Sequence, residues 1–276
     1  MQTFFARLSQ RVDESSSLLC VGLDPHPADL AAPSAEAALD FCTRLVKATI
    51  QHAAAFKPNA AFFEIHGPEG WAALKEVIAT IRMEANRLGV SVPVILDAKR
   101  GDIASTAEAY AASAFEKLGA DAITLSPYLG RDSIEPFLSH PGKGVFLLCK
   151  TSNPGAADLQ DLPVSVGTQA NVPLYEYVAH LAQGWNQADN IGLVVGATQP
   201  EALERVRQAA PDVWMLVPGV GTQGGDLETA LHSGLRLDGK GLLINISRSL
   251  ARAEDPGAYA ADLCEKVTKT KLNLKK

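Results

Sequence analysis

The chain has 276 residues, of which 47% are apolar and 20% are charged, and its formal net charge at pH 7 is −6. These values are typical of a soluble globular protein and exclude a fibrous or intrinsically disordered chain. A nucleic-acid-binding domain, which would be basic, is not expected. Neither is a membrane-spanning helix, because no run of about 18 apolar residues occurs.

The amino-terminal segment and the cysteines indicate the compartment. Arg7 and Arg11 stand where a signal peptide would require its apolar stretch. The cysteines form no C-x-x-C pair and no Cys/His cluster at the spacing of a zinc site; they are Cys20, Cys42, Cys149 and Cys264. We therefore expect buried thiols, no metal site and a cytoplasmic protein.

Short apolar runs of strand length, rich in Val, Ile and Leu, recur along the chain. We predict eight strands, at residues 18–23, 55–57, 92–96, 122–125, 144–149, 191–195, 213–217 and 241–246. Amphipathic segments follow them and predict helices at residues 35–52, 70–87, 104–118, 134–139, 174–185, 200–210, 227–233 and 257–268. A further helix is predicted near the amino terminus, at residues 3–12.

Eight strands and eight helices in one alternating series are typical of a (β/α)₈ TIM barrel, whose usual length is about 250 residues. No linker divides the series, so we predict one α/β domain that spans residues 1–276 and carries an extra amino-terminal helix. A doubly wound open sheet is the structural alternative. In a barrel of this kind the active site lies at the carboxyl ends of the strands.

The third predicted strand leads directly into Asp97, Lys99 and Asp102. Alternation along a strand puts Asp97 and Lys99 on one face, and the turn at Gly101 allows Asp102 to lean back over the same point. Two carboxylates would then flank one ammonium group. A purely structural interpretation is equally open at this stage: Asp97 and Lys99 form a salt bridge, and Asp102 caps the next helix.

The loop after the seventh strand contains Gly219, Gly221 and Gly224 at the spacing of a dinucleotide-binding fingerprint. We reject that interpretation, because the fingerprint belongs to the first strand of its domain and needs an acid after the next one. Here the next strand ends in Ser247 and Arg248. Glycines still let backbone N–H groups approach an anion, and Arg248 can donate two hydrogen bonds. These two loops therefore predict a phosphate monoester site, with a tight turn that binds no ligand as the alternative.

Taken together, these motifs resemble the orotidine 5′-phosphate decarboxylase family, and residues 97–103 are most similar to its longer bacterial branch. The similarity rests on Asp97-x-Lys99-x-x-Asp102, on Asp24 and Phe56-Lys57-Pro58-Asn59 before it, and on the glycine-rich stretch at residues 218–226 after it. It extends from the first predicted strand to the eighth. The resemblance implies decarboxylation of orotidine 5′-phosphate to uridine 5′-phosphate in de novo pyrimidine biosynthesis, without a cofactor or a metal ion.

The resemblance also implies a role for each of these residues. Lys99 would stabilise a carbanion at C6 of the pyrimidine and donate a proton to it, held between Asp97 and Asp102. The nucleotide would be bound by Asp24 and Lys57 at the ribose, by Ser152 at the pyrimidine, and by Gln223, Arg248 and the backbone around Gly221 at the phosphate. Lys57 would in addition extend the row of charged groups formed by Asp97, Lys99 and Asp102.

A homodimer with shared active sites is a further implication of the resemblance, and Asp102, Ile103 and Thr106 would reach the site of the partner. The loop after the seventh strand would close over the nucleoside monophosphate as a lid. One departure from the shorter family members is the long stretch at residues 151–172, rich in Pro, Gly and Asp, which follows the fifth strand.

Three other functions are open from the sequence. A magnesium-dependent sugar-phosphate decarboxylase or synthase of the same superfamily shares the Asp-x-Lys-x-x-Asp pattern, but it needs an acid near the second strand, where this chain has Lys57. A Schiff-base aldolase would use a desolvated lysine, whereas two aspartates keep Lys99 charged. A non-catalytic phosphate-binding barrel would not need Asp97, Lys99 and Asp102 together.

Overall fold

The computed structural model describes residues 2–165, 171–221 and 224–274. Its main sheet has eight parallel strands, and a separate hairpin has two; we number all of them in chain order. The main sheet contains β1 (Leu19–Leu23), β2 (Ala55–Pro58), β3 (Ile95–Arg100), β4 (Ala122–Leu125), β5 (Gly144–Lys150), β8 (Ile191–Val195), β9 (Trp214–Pro218) and β10 (Leu242–Ile246). The hairpin consists of β6 (Pro163–Val164) and β7 (Val172–Pro173).

The strands of the main sheet follow one another around a ring. Their order is β2-β1-β10-β9-β8-β5-β4-β3, and the two outer strands of this series meet through parallel bridges that join Phe56 to Val94 and Asn59 to Asp97. The sheet therefore forms a nearly closed barrel, which confirms the predicted (β/α)₈ architecture and excludes the doubly wound open sheet.

Helices connect the strands along the chain. They are α1 (Phe4–Ser15), α2 (Ala35–Thr49), α3 (Ala61–Glu64), α4 (Gly67–Arg87), α5 (Ala104–Ala112), α6 (Glu135–Leu138), α7 (Leu174–Trp185), α8 (Pro200–Ala209), α9 (Leu227–Gly234), α10 (Arg248–Ala251) and α11 (Pro256–Leu274). A π-helical turn, Ser113–Lys117, continues α5. Within the described residues, no helix is both long and apolar enough to cross a membrane.

The elements that the sequence did not predict are short. The helices α3 and α10 have four residues each, and each strand of the β6–β7 hairpin has two, so none of them is long enough to show a hydrophobic period. The third strand also differs from the prediction, because it continues to Arg100 instead of ending at Leu96. Between these two residues its register with β4 shifts.

The amino-terminal helix closes one end of the barrel with aromatic side chains. Phe4 and Phe5 are buried, and both rings meet the ring of Phe146 edge to face. Phe5 also stacks on Trp214, with the ring centroids 6.2 Å apart. Gly192 leaves room for this cluster, since a Cβ there would lie 2.6 Å from the Phe146 ring. These residues lie near the amino ends of β5, β8 and β9. Lys57, Asp97 and Lys99 lie toward the carboxyl ends of β2 and β3, at the opposite end of the barrel.

The cysteines are all free. Three of them are buried and Cys264 is partly buried, which agrees with the expectation from the sequence. Burial raises the pKa of the Cys20 thiol to about 12, so this group stays protonated at neutral pH.

Candidate active site

Three charged side chains meet at the carboxyl ends of β2 and β3. The Asp97 carboxylate accepts a hydrogen bond from the Lys57 ammonium at 2.7 Å through Oδ2 and one from the Lys99 ammonium at 2.5 Å through Oδ1. Lys57 and Asp97 are almost entirely buried, whereas half of the Lys99 side chain is exposed. The array therefore has a buried anchor and one ammonium group that faces the opening of the barrel.

The end of β3 is shaped by a threonine on the neighbouring strand. The Thr124 hydroxyl donates to Asp97 Oδ1 at 3.0 Å and accepts from the backbone N–H groups of Ala98 at 3.1 Å and Lys99 at 2.9 Å. Lys99 has a φ of 47°, a left-handed conformation that few residues other than glycine adopt. Asp97 and Lys99 thus come together through a local distortion of the strand rather than through the regular alternation that we predicted.

Burial and the neighbouring charges shift the pKa values of Lys57 and Asp97 in opposite directions. Burial by itself lowers the pKa of Lys57, but attraction to the Asp97 carboxylate, with a contribution from Asp24, outweighs it and raises the pKa well above its usual value. Burial would raise the pKa of Asp97, but the ammonium groups of Lys57 and Lys99 hold this pKa well below its usual range. Both groups of the buried pair are therefore charged at neutral pH.

A first cavity of about 330 Å³ lies on the β1, β9 and β10 side of this array. It is lined by Asp24, Lys57, Asp97 and Asn245, by Pro218, Gly219 and Val220 after β9, by Ser247, Arg248 and Ser249 after β10, and by His26 and Phe62. One carboxylate oxygen of Asp24 and the amide oxygen of Asn245 are buried and accept no hydrogen bond from the described residues. Buried polar atoms are normally paired, so these two oxygens point to a ligand with hydroxyl or N–H donors.

A second cavity of about 450 Å³ contains the exposed ammonium of Lys99. Its charged and polar wall consists of Lys57, Asp97, Lys99 and Thr124 on one side and Thr151, Ser152, Asn153 and Gln160 on the other, while Leu148, Val194, Leu216 and Pro218 supply its apolar surface. Lys57, Asp97 and Pro218 line both cavities. The two cavities therefore adjoin at the charged array, and the second offers both polar and apolar surface to a ligand.

Several of the predicted site residues lie in these cavities. Asp24, Lys57 and Arg248 line the first cavity, and Ser152 lines the second. Arg248 is the first residue of α10 and is exposed. Gly221 has a φ of 83°, and its N–H donates to the carbonyl of Gly225 at 2.9 Å within the turn after β9. The prediction for Gln223 lies outside the described residues.

The structure does not bring Asp102 to the Lys99 ammonium. No ion pair joins these two described residues, and Asp102 Oδ1 instead accepts from the N–H of Ile103 at 2.8 Å. Two carboxylates therefore do not flank Lys99 within one chain, and that expectation is wrong. The alternative of a helix cap is wrong as well, because α5 begins at Ala104 and its N-cap residue is Ile103. Ile103 and Thr106 are exposed and line neither cavity.

Sequence reasoning did not identify Thr124, Asn245 and Gln160 as site residues. Asn245 carried a signal, because it is the polar residue within the apolar run of the eighth predicted strand. Its Cα pairs with Cys20 of β1 and Pro218 of β9, and it is 8% exposed. Thr124 and Gln160 gave no such signal, since a threonine is common in strands and Gln160 stands in a loop. Among the described residues, no three His, Cys, Asp or Glu side chains group together as metal ligands would.

Comparisons with known proteins show the family of the chain. Residues 17–263 match the sequence model of the "Orotidine 5'-phosphate decarboxylase / HUMPS family". The chain is 50% identical, over 94% of its own length and 92% of the relative's, to orotidine 5′-phosphate decarboxylase of Roseiflexus castenholzii. Among solved structures, Leishmania donovani OMP decarboxylase has a TM-score of 0.86 and 53% identity and is matched over 98% of this chain and 99% of that chain. Leishmania donovani UMP synthase has a TM-score of 0.87 and 55% identity, with 98% of this chain matched, and the chain spans 57% of that protein.

Proposed function

Because the chain belongs to the orotidine 5′-phosphate decarboxylase / HUMPS family, we propose that its charged array carries out the reaction for which its relatives are named. The chain is a decarboxylase that converts orotidine 5′-phosphate to uridine 5′-phosphate in pyrimidine biosynthesis. The observation that carries the mechanism is the contact of Asp97 with both Lys57 and Lys99 at the barrel opening.

The reaction breaks the bond between C6 of the pyrimidine and its carboxylate. The electron pair stays on C6, CO₂ leaves, and a proton is then needed at C6. No carbonyl group or cofactor is in line to spread the charge of this carbanion, so a cation must lie beside it. Lys99 supplies that cation, because its ammonium group is exposed in the second cavity. The same group then donates the proton.

Electrostatic stabilisation must supply most of the rate enhancement. A carboxylate such as that of Asp97, placed about 4 Å from the substrate carboxylate, raises the energy of the bound substrate by roughly 4 kcal/mol at an effective dielectric constant near 20. Enzymes commonly lower a barrier by about 8 to 23 kcal/mol, so repulsion alone is too small. The attraction between Lys99 and the developing carbanion, supported by binding energy from the phosphate, accounts for the rest.

The two adjoining cavities support one placement of the nucleotide. The pyrimidine occupies the second cavity, between Lys99 and Ser152. The ribose lies in the first cavity, where Asp24, Lys57 and Asn245 offer groups that pair with its hydroxyls. Arg248 and the backbone around Gly221 bind the phosphate, together with Gln223, and the turn that contains Gly221 closes over it as a lid.

We further propose a homodimer with shared sites. The loops after the neighbouring strands β2, β3 and β4 expose large apolar side chains, namely Ile65 (61%), Ile103 (52%), Tyr128 (78%) and Leu129 (48%). Large apolar side chains exposed on successive loops at one end of the barrel support a protein interface there. Asp102, Ile103 and Thr106 line neither cavity of their own chain, and Ile103 and Thr106 are exposed, which supports a role for all three in the site of a partner. A cytoplasmic location remains our prediction from the cysteines.

The alternative functions have less support. A magnesium-dependent relative would place a cation where Lys57 already holds its ammonium 2.7 Å from Asp97. A Schiff-base mechanism would need an uncharged lysine, whereas Lys99 is hydrogen-bonded to a carboxylate whose pKa is held low.

One assay tests the function directly. Purified protein is mixed with orotidine 5′-phosphate in excess EDTA, and the ultraviolet absorbance of the substrate is followed. We expect the absorbance to fall at the same rate with and without EDTA. No turnover would overturn the assignment, and turnover only after addition of Mg²⁺ would indicate a metal-dependent relative.

A further inference from the structure

We propose that the Lys150–Asp161 ion pair, together with the Gln160 side chain, positions residues 151–164 as the wall of the pyrimidine cavity. Asp161 and Gln160 would then be positioning residues for the reaction, although neither was predicted from the sequence. The inference rests on the proposed function, in which the second cavity receives the pyrimidine.

The ion pair joins a buried cation to a loop. Lys150 is the last residue of β5 and is only 1% exposed. Its ammonium donates to Asp161 Oδ1 at 2.6 Å and lies 5.5 Å from the centroid of the Tyr175 ring. The Asp161 side chain is 45% exposed. A buried ammonium group needs a counter-charge, so the ion pair with Lys150 holds the loop residue Asp161 against the end of β5.

The neighbouring residue adds a second attachment to the same strand end. Gln160 Oε1 accepts from the backbone N–H of Thr151 at 2.8 Å, and Gln160 Nε2 donates to the Thr151 hydroxyl at 2.9 Å. The main chain is held as well, because the carbonyl of Gln160 accepts from the N–H of Tyr175 at 3.0 Å and that of Leu162 accepts from the N–H of Leu174 at 2.8 Å. The two ends of the segment are thereby tied to β5 and to the start of α7.

This segment forms one side of the cavity that contains Lys99. Thr151, Ser152, Asn153 and Gln160 line that cavity, whereas Lys150 and Asp161 do not. Ser152 also packs closely on β8, since a Cβ on Gly196 would lie 3.0 Å from Ser152 Cβ. A shift of the Lys150–Asp161 attachment would therefore move the wall that faces the pyrimidine, without touching the ribose or phosphate region.

The segment has little regular structure of its own to hold it. Its described elements are a 3₁₀ turn, Pro154–Asp158, and the short strand β6. Backbone hydrogen bonds hold residues 160–164 against β7 and the start of α7, whereas the described attachments of Gln160 and Asp161 to the end of β5 are made by side chains.

The test compares two ligands that share ribose and phosphate and differ in the pyrimidine. Dissociation constants for uridine 5′-phosphate and ribose 5-phosphate are measured by isothermal titration calorimetry for the wild type, Asp161→Asn and Asp158→Asn. Asp158 is a matched control, because it lies in the same loop, is exposed and forms no ion pair among the described residues. For Asp161→Asn we expect the constant for uridine 5′-phosphate to rise about tenfold, and that for ribose 5-phosphate to change less than about twofold.

A purely structural role would give another pattern. General destabilisation would weaken both ligands alike, and a loop that does not touch the pyrimidine would weaken neither; each of these results would overturn the proposal. The longer carboxylate of Asp161→Glu should restore part of the affinity for uridine 5′-phosphate. Failure of the proposed function is distinguishable, because the wild type would then show no turnover of orotidine 5′-phosphate even when Asp161→Asn alters nucleotide binding. A wild type that binds no uridine 5′-phosphate would overturn both.

Discussion

The two lysines that contact Asp97 have different surroundings and therefore different tasks. Lys57 is almost completely buried and fixes one carboxylate oxygen, whereas half of the Lys99 side chain is exposed at the opening of the barrel. The exposed ammonium is the one that our proposal places beside the substrate carbon. The buried lysine instead keeps Asp97 charged and in place.

Replacement of Lys99 by alanine is expected to abolish turnover and leave the fold intact. The reaction loses both its cation and its proton donor, while the substitution of a half-exposed side chain costs little stability. Steady-state assays with orotidine 5′-phosphate measure the first effect, and circular dichroism with thermal unfolding measures the second. Retention of even about a tenth of the activity would contradict the role given to Lys99.

The charge of Asp97 makes stability depend on pH in a defined direction. Its pKa is lowered on folding, so ionised Asp97 stabilises the fold above its unfolded pKa of about 3.9, and this contribution is lost as the pH falls towards the folded pKa. The pKa of Lys57 is raised, so its contribution is complete below about pH 10 and is lost as the pH rises through the folded value. Both charges thus stabilise the protein throughout the neutral range.

Replacement of Asp97 by asparagine should therefore destabilise the protein at neutral pH and matter less in acid. The variant leaves the buried Lys57 ammonium without its counter-charge, which typically costs about 3 kcal/mol or more. Urea unfolding at pH 7 and at several pH values below 4 gives the free energy of unfolding of both proteins. The difference between them should shrink as the pH falls below about 4; a constant difference would contradict the assigned cause.

Among the elements, the end of β3 depends on its neighbour. Regular alternation predicted that Asp97 and Lys99 share a face, and the two side chains do meet. They do so because the strand is distorted, with a positive φ at Lys99 and a register shift against β4. Thr124 of β4 stabilises this distortion, because its hydroxyl donates to the Asp97 carboxylate and accepts from the N–H groups of Ala98 and Lys99.

We expect Thr124→Val, which keeps the shape of the side chain and removes the hydroxyl, to lower kcat about tenfold or more. A loss of about 1.4 kcal/mol in the positioning of Lys99 corresponds to that factor, and the hydroxyl makes three hydrogen bonds, each worth about 1 kcal/mol. Thr124→Ser keeps the hydroxyl and is the matched control. Steady-state kinetics of both variants provide the measurement, and equal activities would show that the hydroxyl is not needed.

At the scale of the whole molecule, packed aromatic side chains close one end of the barrel, and the candidate site lies at the other end. The amino-terminal helix fills one end with Phe4 and Phe5, and the loops after the strands build the site at the other. That residues 1–276 form a single domain remains a prediction. The described chain forms the Lys57–Asp97–Lys99 array by itself, but it leaves Asp102 outside its own site.

A dimer with shared sites predicts complementation between two inactive variants. Lys99→Ala and Asp102→Asn are co-expressed with different affinity tags, and the mixed dimer is purified through both. If Asp102 acts in the partner's site, one of the two sites in the mixed dimer is intact, and about half of the wild-type activity should return. The dimers of each single variant serve as controls. A mixed dimer as inactive as those controls would show that Asp102 does not act across the interface.

The sequence by itself determined the barrel, the order of its elements and the residues at the strand ends, because hydrophobic periodicity and strand length are local properties. It also placed Asp97 and Lys99 together, since only two positions separate them. Only the tertiary structure decided that Thr124 supports this pair, that Asn245 turns a buried oxygen to the cavity, and that Lys150 fixes the loop through Asp161. These contacts join residues that are brought together by barrel closure or by loop folding, and no local pattern encodes such distances. For the same reason, spacing suggested that Asp102 lies beside Lys99, whereas Asp102 Oδ1 instead accepts from the N–H of Ile103.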